Sequence, residues 1–314
     1  MTTEDVIRRF KENYNLLIVL GSTASGKTDL AVRLAMRIGG EIISADSRQV
    51  YIGMDLGTGK DISAYKQGGT VVRYHLIDII EPTEEFNLFS YRKWFYSCFL
   101  EISSRGAVPI LTGGTGLYLD TIVRGYRMAE VPVNQKLREE LAGEEMSSLR
   151  RRFLKHCPEA HNTTDLLERK RLIRAIEIAE FGRNHPQNTE PPVKIDPFVI
   201  GIRCEREELR RRITARLRSR LEAGMIEEVK QLFAKGIGWK RIDSFGLEYR
   251  YIALYLQGKM DRETMFRKLN TRIHQFAKRQ ETWFRRMERN GVQIHWIEGA
   301  DEDAAIRLIA DARP

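Results

Sequence analysis

At 314 residues the chain can form one large domain or two unequal ones around a sizeable core. Its 42% hydrophobic and 30% charged residues exclude a disordered polymer, and no apolar run reaches the length of a membrane span. Lys and Arg exceed Asp and Glu by 52 to 43, a net charge of +9 that fits a polyanionic partner and an ordinary basic enzyme equally well.

The opening "MTTEDVIRRFKENYN" mixes acidic and basic residues without the apolar centre of a leader. Cys98, Cys157 and Cys204 are scattered without metal-ligand spacing, so a cytoplasmic protein with reduced, mostly buried thiols is expected. "LLIVL" (16–20) predicts a strand, followed by a helix running from a Gly-rich turn to "RIGG". Further strands are predicted at "EIISAD" (41–46), "VVRYHLIDII" (71–80) and "AVPILTGG" (107–114), with the amphipathic helix "NLFSYRKWFYSCFLEISSRG" before the last. Strands alternating with helices imply an α/β fold, a parallel sheet covered on both faces. From about Val131 to Glu180 the texture is helical and charged, and the turn-rich "FGRNHPQNTEPPVKIDP" (181–197) then leads to a returning strand, "FVIGIRC". A helical insertion at 127–190 in a core formed by 1–126 and 191–314 is the expected organisation. Beyond Glu205 nearly all is helix until "VQIHWIEG".

"GSTASGKT" fits G-x-x-x-x-G-K-[ST], with Gly21, Gly26, Lys27 and Thr28 at the fixed places. Glycines let backbone N–H groups wrap a diphosphate, Lys27 neutralises it, Thr28 offers a hydroxyl to Mg²⁺, and the helix aims its positive end at the anion. The strand before and helix after supply the context of a P-loop NTPase-like core.

Asp46 ends the second predicted strand, on the edge where open α/β sheets bind ligands. Alone, it could ligate Mg²⁺, cap a helix or accept a proton. Ser47 and Gln49 add donors and acceptors suited to a nucleobase edge, and Thr115 in "TGGTGLYL" can donate into the same cleft. Gly113, Gly114 and Gly116 also fit a plain tight turn. An acidic Mg²⁺ strand end with a water-positioning group, the usual equipment of an NTP hydrolase, does not stand out.

In order, "GSTASGKT", "ISADSRQVYIGMDLGTGK", "HLID", "PILTGGTGLYL", "RLIRAIEI" and "AKRQETWFRR" resemble the tRNA dimethylallyltransferase (tRNA isopentenyltransferase) family, from about Leu16 to Arg286. The resemblance implies transfer of a dimethylallyl group from dimethylallyl diphosphate to N6 of the adenosine 3′ of the anticodon, in tRNAs reading U-initial codons. The loop would then grip the diphosphate of a prenyl donor, with Mg²⁺, and ATP would not be consumed. It implies donor binding by Gly21, Ser22, Thr23, Ala24, Ser25, Gly26, Lys27 and Thr28, and by Arg216 on the helix that also carries Arg212; Arg218 and Arg220 read as exposed. Asp46 would be the general base, with Thr115 and Lys27 at the reacting centre, and Asp46, Ser47, Arg48 and Gln49 would read the flipped-out adenosine. Arg138 and the run Lys170, Arg171, Leu172, Ile173 and Arg174 correspond to tRNA-touching positions. In "AKRQETWFRR", Lys278, Arg279, Gln280 and Arg285 suit an RNA loop, Trp283 suits core packing, and His274 reads as structural or exposed.

The chain departs from the family pattern at Ser22, where Pro is usual, and at Ile273 and His274, where Thr-Arg is usual. No C-terminal zinc finger like that of eukaryotic members is present in this sequence. The expected partners are the anticodon stem-loop of tRNA and dimethylallyl diphosphate, with no membrane and no obligate protein partner. Prenylation of free adenylate, a small-molecule P-loop kinase and a catalytically silent tRNA binder stand as alternatives.

Overall fold

The computed structural model describes residues 2–158, 166–185 and 189–312. The chain divides into two compact units, Met1–Gly125 with Val193–Pro314, and Tyr126–Pro192.

The first unit is built on six strands: β1 (Leu16–Gly21), β2 (Gly40–Ser44), β5 (Tyr74–His75), β6 (Val108–Gly113), β7 (Pro197–Arg203) and β8 (His295–Glu298). They run parallel in the order β5-β2-β6-β1-β7-β8. β1 sits inside and is buried along its whole length, which is why it reads as an unbroken apolar run. Its side chains alternate: Leu17 and Val19 face a core with α1 (Thr3–Asn13), α2 (Lys27–Ile38) and α13 (Glu302–Asp311). Leu16, Ile18 and Leu20 face a second core with α3 (Leu88–Ser104), α4 (Gly116–Val123) and the end of α12 (Arg262–Arg289).

A third core joins α8 (Arg206–Glu222), α9 (Met225–Ala234), α10 (Trp239–Ser244), α11 (Leu247–Leu256) and the first part of α12. α12 thus spans two cores: Met265, Leu269, Ile273 and Ala277 enter the third, Phe284 and Met287 the second. The 3–4-residue spacing makes these one helical stripe.

The strand expected over 71–80 is broken. β4 (Thr70–Val71) pairs antiparallel with β3 (Lys66–Gln67), while β5 joins the sheet at Ile42↔Tyr74 and Ile43↔His75. Leu76 (φ 61°) and Asp78 (φ 53°) are left-handed and cannot continue a strand. Asp78 there pairs with the buried Lys60 ammonium, which also reaches the Tyr51 carbonyl at 2.9 Å.

In the second unit α5 (Gln135–Ala142), α6 (Met146–His156) and α7 (Arg169–Asn184) bury Leu137, Leu141, Leu149, Phe153, Leu172 and Ile176. Its helical character was expected, but α7 runs four residues into the stretch read as turns, and 159–165 and 186–188 lie outside the described residues. The cysteines are free thiols, and only Cys98 is buried; burial pushes it up to about 11. Among the described residues no helix is long and apolar enough to cross a membrane.

Candidate active site

Three adjacent strands, β2, β6 and β1, deliver Asp46, Thr115 and the phosphate loop side by side at the carboxyl edge of the sheet. The loop turns through Ala24 (φ 64°) and enters α2 at Gly26, whose φ of 90° favours glycine. Ser22 and Ser25 turn inward, while Thr23, Lys27 and Thr28 line a cavity of about 440 Å³. Ser25 Oγ is buried without a hydrogen-bond partner. The Lys27 ammonium bonds the Ser22 carbonyl at 3.3 Å.

Asp46 Oδ1 accepts from the Arg48 N–H at 2.8 Å and, more weakly, from Gln49 at 3.4 Å. This Asx turn uses one carboxylate oxygen. The Thr115 N–H donates to the Ala45 carbonyl at 3.1 Å, and Thr115 Oγ1 accepts from the Ser47 N–H at 3.2 Å. The Thr115 hydroxyl proton stays available for the cavity, which both residues line with Ser47, Arg48 and Gln49.

The glycines of "TGGTG" make a close approach rather than a plain turn. A Cβ on Gly113 would overlap the Ala45 carbonyl, one on Gly114 the Gln280 amide, and one on Gly116 the Trp283 ring. Gly113→Ala is therefore expected to destabilise the fold by about 1–3 kcal/mol in urea titration, since backbone must shift to admit it.

Arg216 reaches the cavity from α8 and donates to the Thr23 hydroxyl. Arg212 does not enter: at 2.7 Å it is paired with Glu208. Arg220, expected at the surface, lines the cavity instead, against a Gly59 that leaves no room for a Cβ. Positions 213 and 217 of α8 are buried in the third core, and the 3.6-residue period carries 216 and 220 to a common face beside them. That spacing was legible; the direction of the face was not.

Burial, and then the Arg216 charge, push the Lys27 ammonium down to about 8. Burial, and then Arg220, pull Arg216 down to about 10, and Arg220 is lowered by burial as well. Glu248 lines the same cavity and is raised by burial against the pull of Arg220 and Arg216. Three cations thus crowd one cavity, an arrangement that favours an anion. Inorganic pyrophosphate is expected to take up a proton on binding near pH 8 and to bind up to about tenfold more weakly per pH unit above it. Calorimetry in buffers of different ionisation heat reads both effects.

α12 contributes Phe276, Arg279, Gln280 and Trp283 to the cavity, with the Arg279 guanidinium 5.8 Å from the Phe276 ring centre. Gln280 is one of the residues expected to contact RNA. It is 6% exposed, and both ends of its amide bond the protein, at Thr23 and Gly114. Trp283 packs on the second core as expected, yet also lines the cavity. His274, read as structural or exposed, is half-buried and lies 3.4 Å from the Thr214 hydroxyl.

The remaining residues belong to the second unit. Leu172 is fully buried in that unit's core, so its side chain is packing and not an RNA contact; Ile173 packs against the same core. Arg138 holds the buried Glu177 carboxylate at 2.9 Å, and Arg174 pairs with it too. Arg138 and Arg174, with the Asn134 N–H, keep Glu177 below its usual range against the opposing effect of burial. Lys170 and Arg171 are exposed, Arg171 beside Glu168 at 3.0 Å.

Sequence reading also missed Glu228, which takes the N–H groups of Asp55, Leu56 and Gly57 at 2.7–3.0 Å and holds the "DLGTGK" loop in place.

A family model described as IPP transferase matches residues 49–287. A tRNA dimethylallyltransferase 2 of Trichlorobacter lovleyi is 56% identical over 291 residues, 93% of this chain and 94% of its own length. A tRNA dimethylallyltransferase 1 of Syntrophus aciditrophicus is 55% identical over 92% of this chain and 95% of its own. The solved full-length tRNA isopentenylpyrophosphate transferase of Bacillus halodurans superposes with a TM-score of 0.67 at 32% identity, covering 95% of each chain. A eukaryotic dimethylallyltransferase solved acting on tRNA shares the fold, with a TM-score of 0.74 at 22% identity over 92% of this chain and 74% of that one. Matched by the family model over residues 49–287 and by a 56% identical relative over 93% of its length, the chain belongs to the IPP transferase family.

Proposed function

We propose that this chain transfers a dimethylallyl group from dimethylallyl diphosphate to N6 of the adenosine 3′ of the anticodon in tRNAs reading U-initial codons. The observation that carries this reading is the convergence of Lys27, Arg216 and Arg220 on one cavity with Asp46 and Thr115. The cations suit a diphosphate leaving group, and the carboxylate and hydroxyl suit an amine nucleophile.

In the transfer, the allylic C1–O bond breaks and the diphosphate keeps the electron pair. Lys27, Arg216 and the loop amides stabilise that charge. N6 forms the new bond to C1 and gives a proton to Asp46, which matters because the adenine amine is a weak nucleophile. Thr115 donates a hydrogen bond near the reacting centre. The adenine must leave its stack to present N6 inside the cavity.

Mg²⁺ fits the donor set in one way. Among the described residues no cluster of three acidic, His or Cys side chains could hold a metal alone, but the Thr28 hydroxyl lines the cavity. A hard cation completed by diphosphate oxygens and water needs little more from the protein. Bound there, it would add further neutralisation of the leaving group.

The names of the relatives, which span nearly this whole chain, favour a tRNA acceptor over free adenylate. The same reading places the protein in the cytoplasm, beside its RNA.

The test is a labelled-donor assay with Mg²⁺, in which unmodified tRNA transcript, AMP and no acceptor are compared. Label in the tRNA alone is expected. Label in AMP, or ATP turnover without any label transfer, would overturn the proposal.

A further inference from the structure

Of the buried residues on the α12 stripe, Met265, Leu269, Ile273, Ala277, Gln280, Phe284 and Met287, Gln280 alone is polar. A buried amide is tolerated where both of its ends are bonded. Here Oε1 accepts from the Thr23 N–H at 2.8 Å, and Nε2 donates to the Gly114 carbonyl at 2.8 Å. Gly114 leaves the space that a Cβ would take from Nε2.

The bridge continues on both sides. Thr23 takes the Arg216 guanidinium on its hydroxyl. Gly114 precedes Thr115, whose N–H is tied to Ala45 and whose hydroxyl oxygen takes the Ser47 N–H, one residue from Asp46. An unbroken series of hydrogen bonds and adjacent residues therefore links the phosphate cradle to the carboxylate, with Gln280 at its centre.

We propose that Gln280 is a positioning residue that sets the diphosphate cradle against the Asp46–Thr115 side of the cavity, and that it does not contact RNA. The inference rests on the transfer reading above. Bond formation at C1 as the diphosphate leaves demands that both loops hold their separation closely, because a shift near 1 Å at a reacting pair lowers rates on the order of a hundredfold. The direct β1–β6 pairing reaches only Leu20↔Gly113, and beyond it the Gln280 amide bonds both Thr23 and Gly114. The rest of α12, anchored in two cores, provides the rigid base for the bridge.

The experiment uses the full chain with Gln280→Leu and Gln280→Glu. With Gln280→Leu, kcat at saturating donor and RNA is expected to fall about a hundredfold, and affinity for an anticodon stem-loop to stay within about twofold. Pyrophosphate affinity should weaken about tenfold as Thr23 loses its anchor.

Gln280→Glu separates positioning from simple loss of structure. An ionised Glu can accept from Thr23 but cannot donate to Gly114, whereas a protonated one does both. Its kcat relative to the unaltered protein should therefore climb as pH falls from about 8 to about 5.5, while the ratio for Gln280→Leu stays flat.

RNA affinity falling tenfold or more with kcat retained would make Gln280 an RNA contact and overturn the inference. A ratio for Gln280→Glu that does not change with pH would overturn it too. Should Gln280→Leu fail to fold, the Gln280→Glu profile decides alone. If the unaltered protein transfers nothing, the proposed function fails, and the pyrophosphate titrations still decide the bridge because they require no turnover.

Discussion

Asp46→Asn is expected to lower kcat for prenyl transfer by about 10²- to 10⁴-fold, with little change in the affinity for either substrate. Asparagine is the informative replacement. Its side-chain oxygen can keep the bonds from the Arg48 and Gln49 N–H groups that shape the turn, so the loop survives. What disappears is the capacity to take a proton from N6. Alanine would remove the turn as well and confuse the two effects. Single-turnover transfer at saturating donor and RNA, with RNA affinity measured separately by filter binding, reads the loss. A rate within threefold or so of the unaltered protein would remove Asp46 as the base, since general-base contributions are at least about a hundredfold.

Lys27→Met should lower kcat/KM for the donor by about 10²- to 10³-fold, as expected for removing one stabiliser of developing negative charge. Its effect on the ligand-free protein has the opposite sense. Burial, and then Arg216, hold Lys27 near 8, against about 10.4 in an unfolded chain. Between those values the unfolded chain binds more protons, so stability rises with pH across that window and the charged lysine is a burden below it. Lys27→Met is therefore expected to melt at the same temperature as the unaltered protein or higher at pH 7. Pyrophosphate should raise the melting temperature of the unaltered protein much more than that of the variant. A marked loss of ligand-free stability would show that Lys27 serves the fold and not the anion.

These two residues were also the most legible. "LLIVLGSTASGKT" carries its own context, because a fully buried inner strand must be apolar at every position and the loop that follows needs glycine at its left-handed turn. Asp46 and Thr115 could be placed at strand ends because the alternation of strands and helices dictates a parallel sheet with its ligands at the carboxyl edge. The strand over 71–80 failed for a local reason. Its β-branched and aromatic residues looked continuous, yet Leu76 and Asp78 adopt left-handed backbone, with Asp78 paired to the buried Lys60.

The sequence by itself determined the parallel α/β core, the glycine-rich strand-to-helix turn and the carboxylate at the neighbouring strand end, since each depends on a short run of neighbouring residues whose periodicity or spacing has one physical meaning. Only the tertiary structure decided which of many arginines serve the site. Arg212, Arg216, Arg218 and Arg220 share one basic helix, and the packing of Ile213 and Leu217 into the third core turns 216 and 220 toward the cavity. Gln280 reads in the sequence as one of the RNA-loop residues of a basic helix. Its place on an otherwise apolar stripe was readable at the 3.6-residue period, but its partners lie 257 and 166 residues away in sequence, and only folding brings them within 2.8 Å.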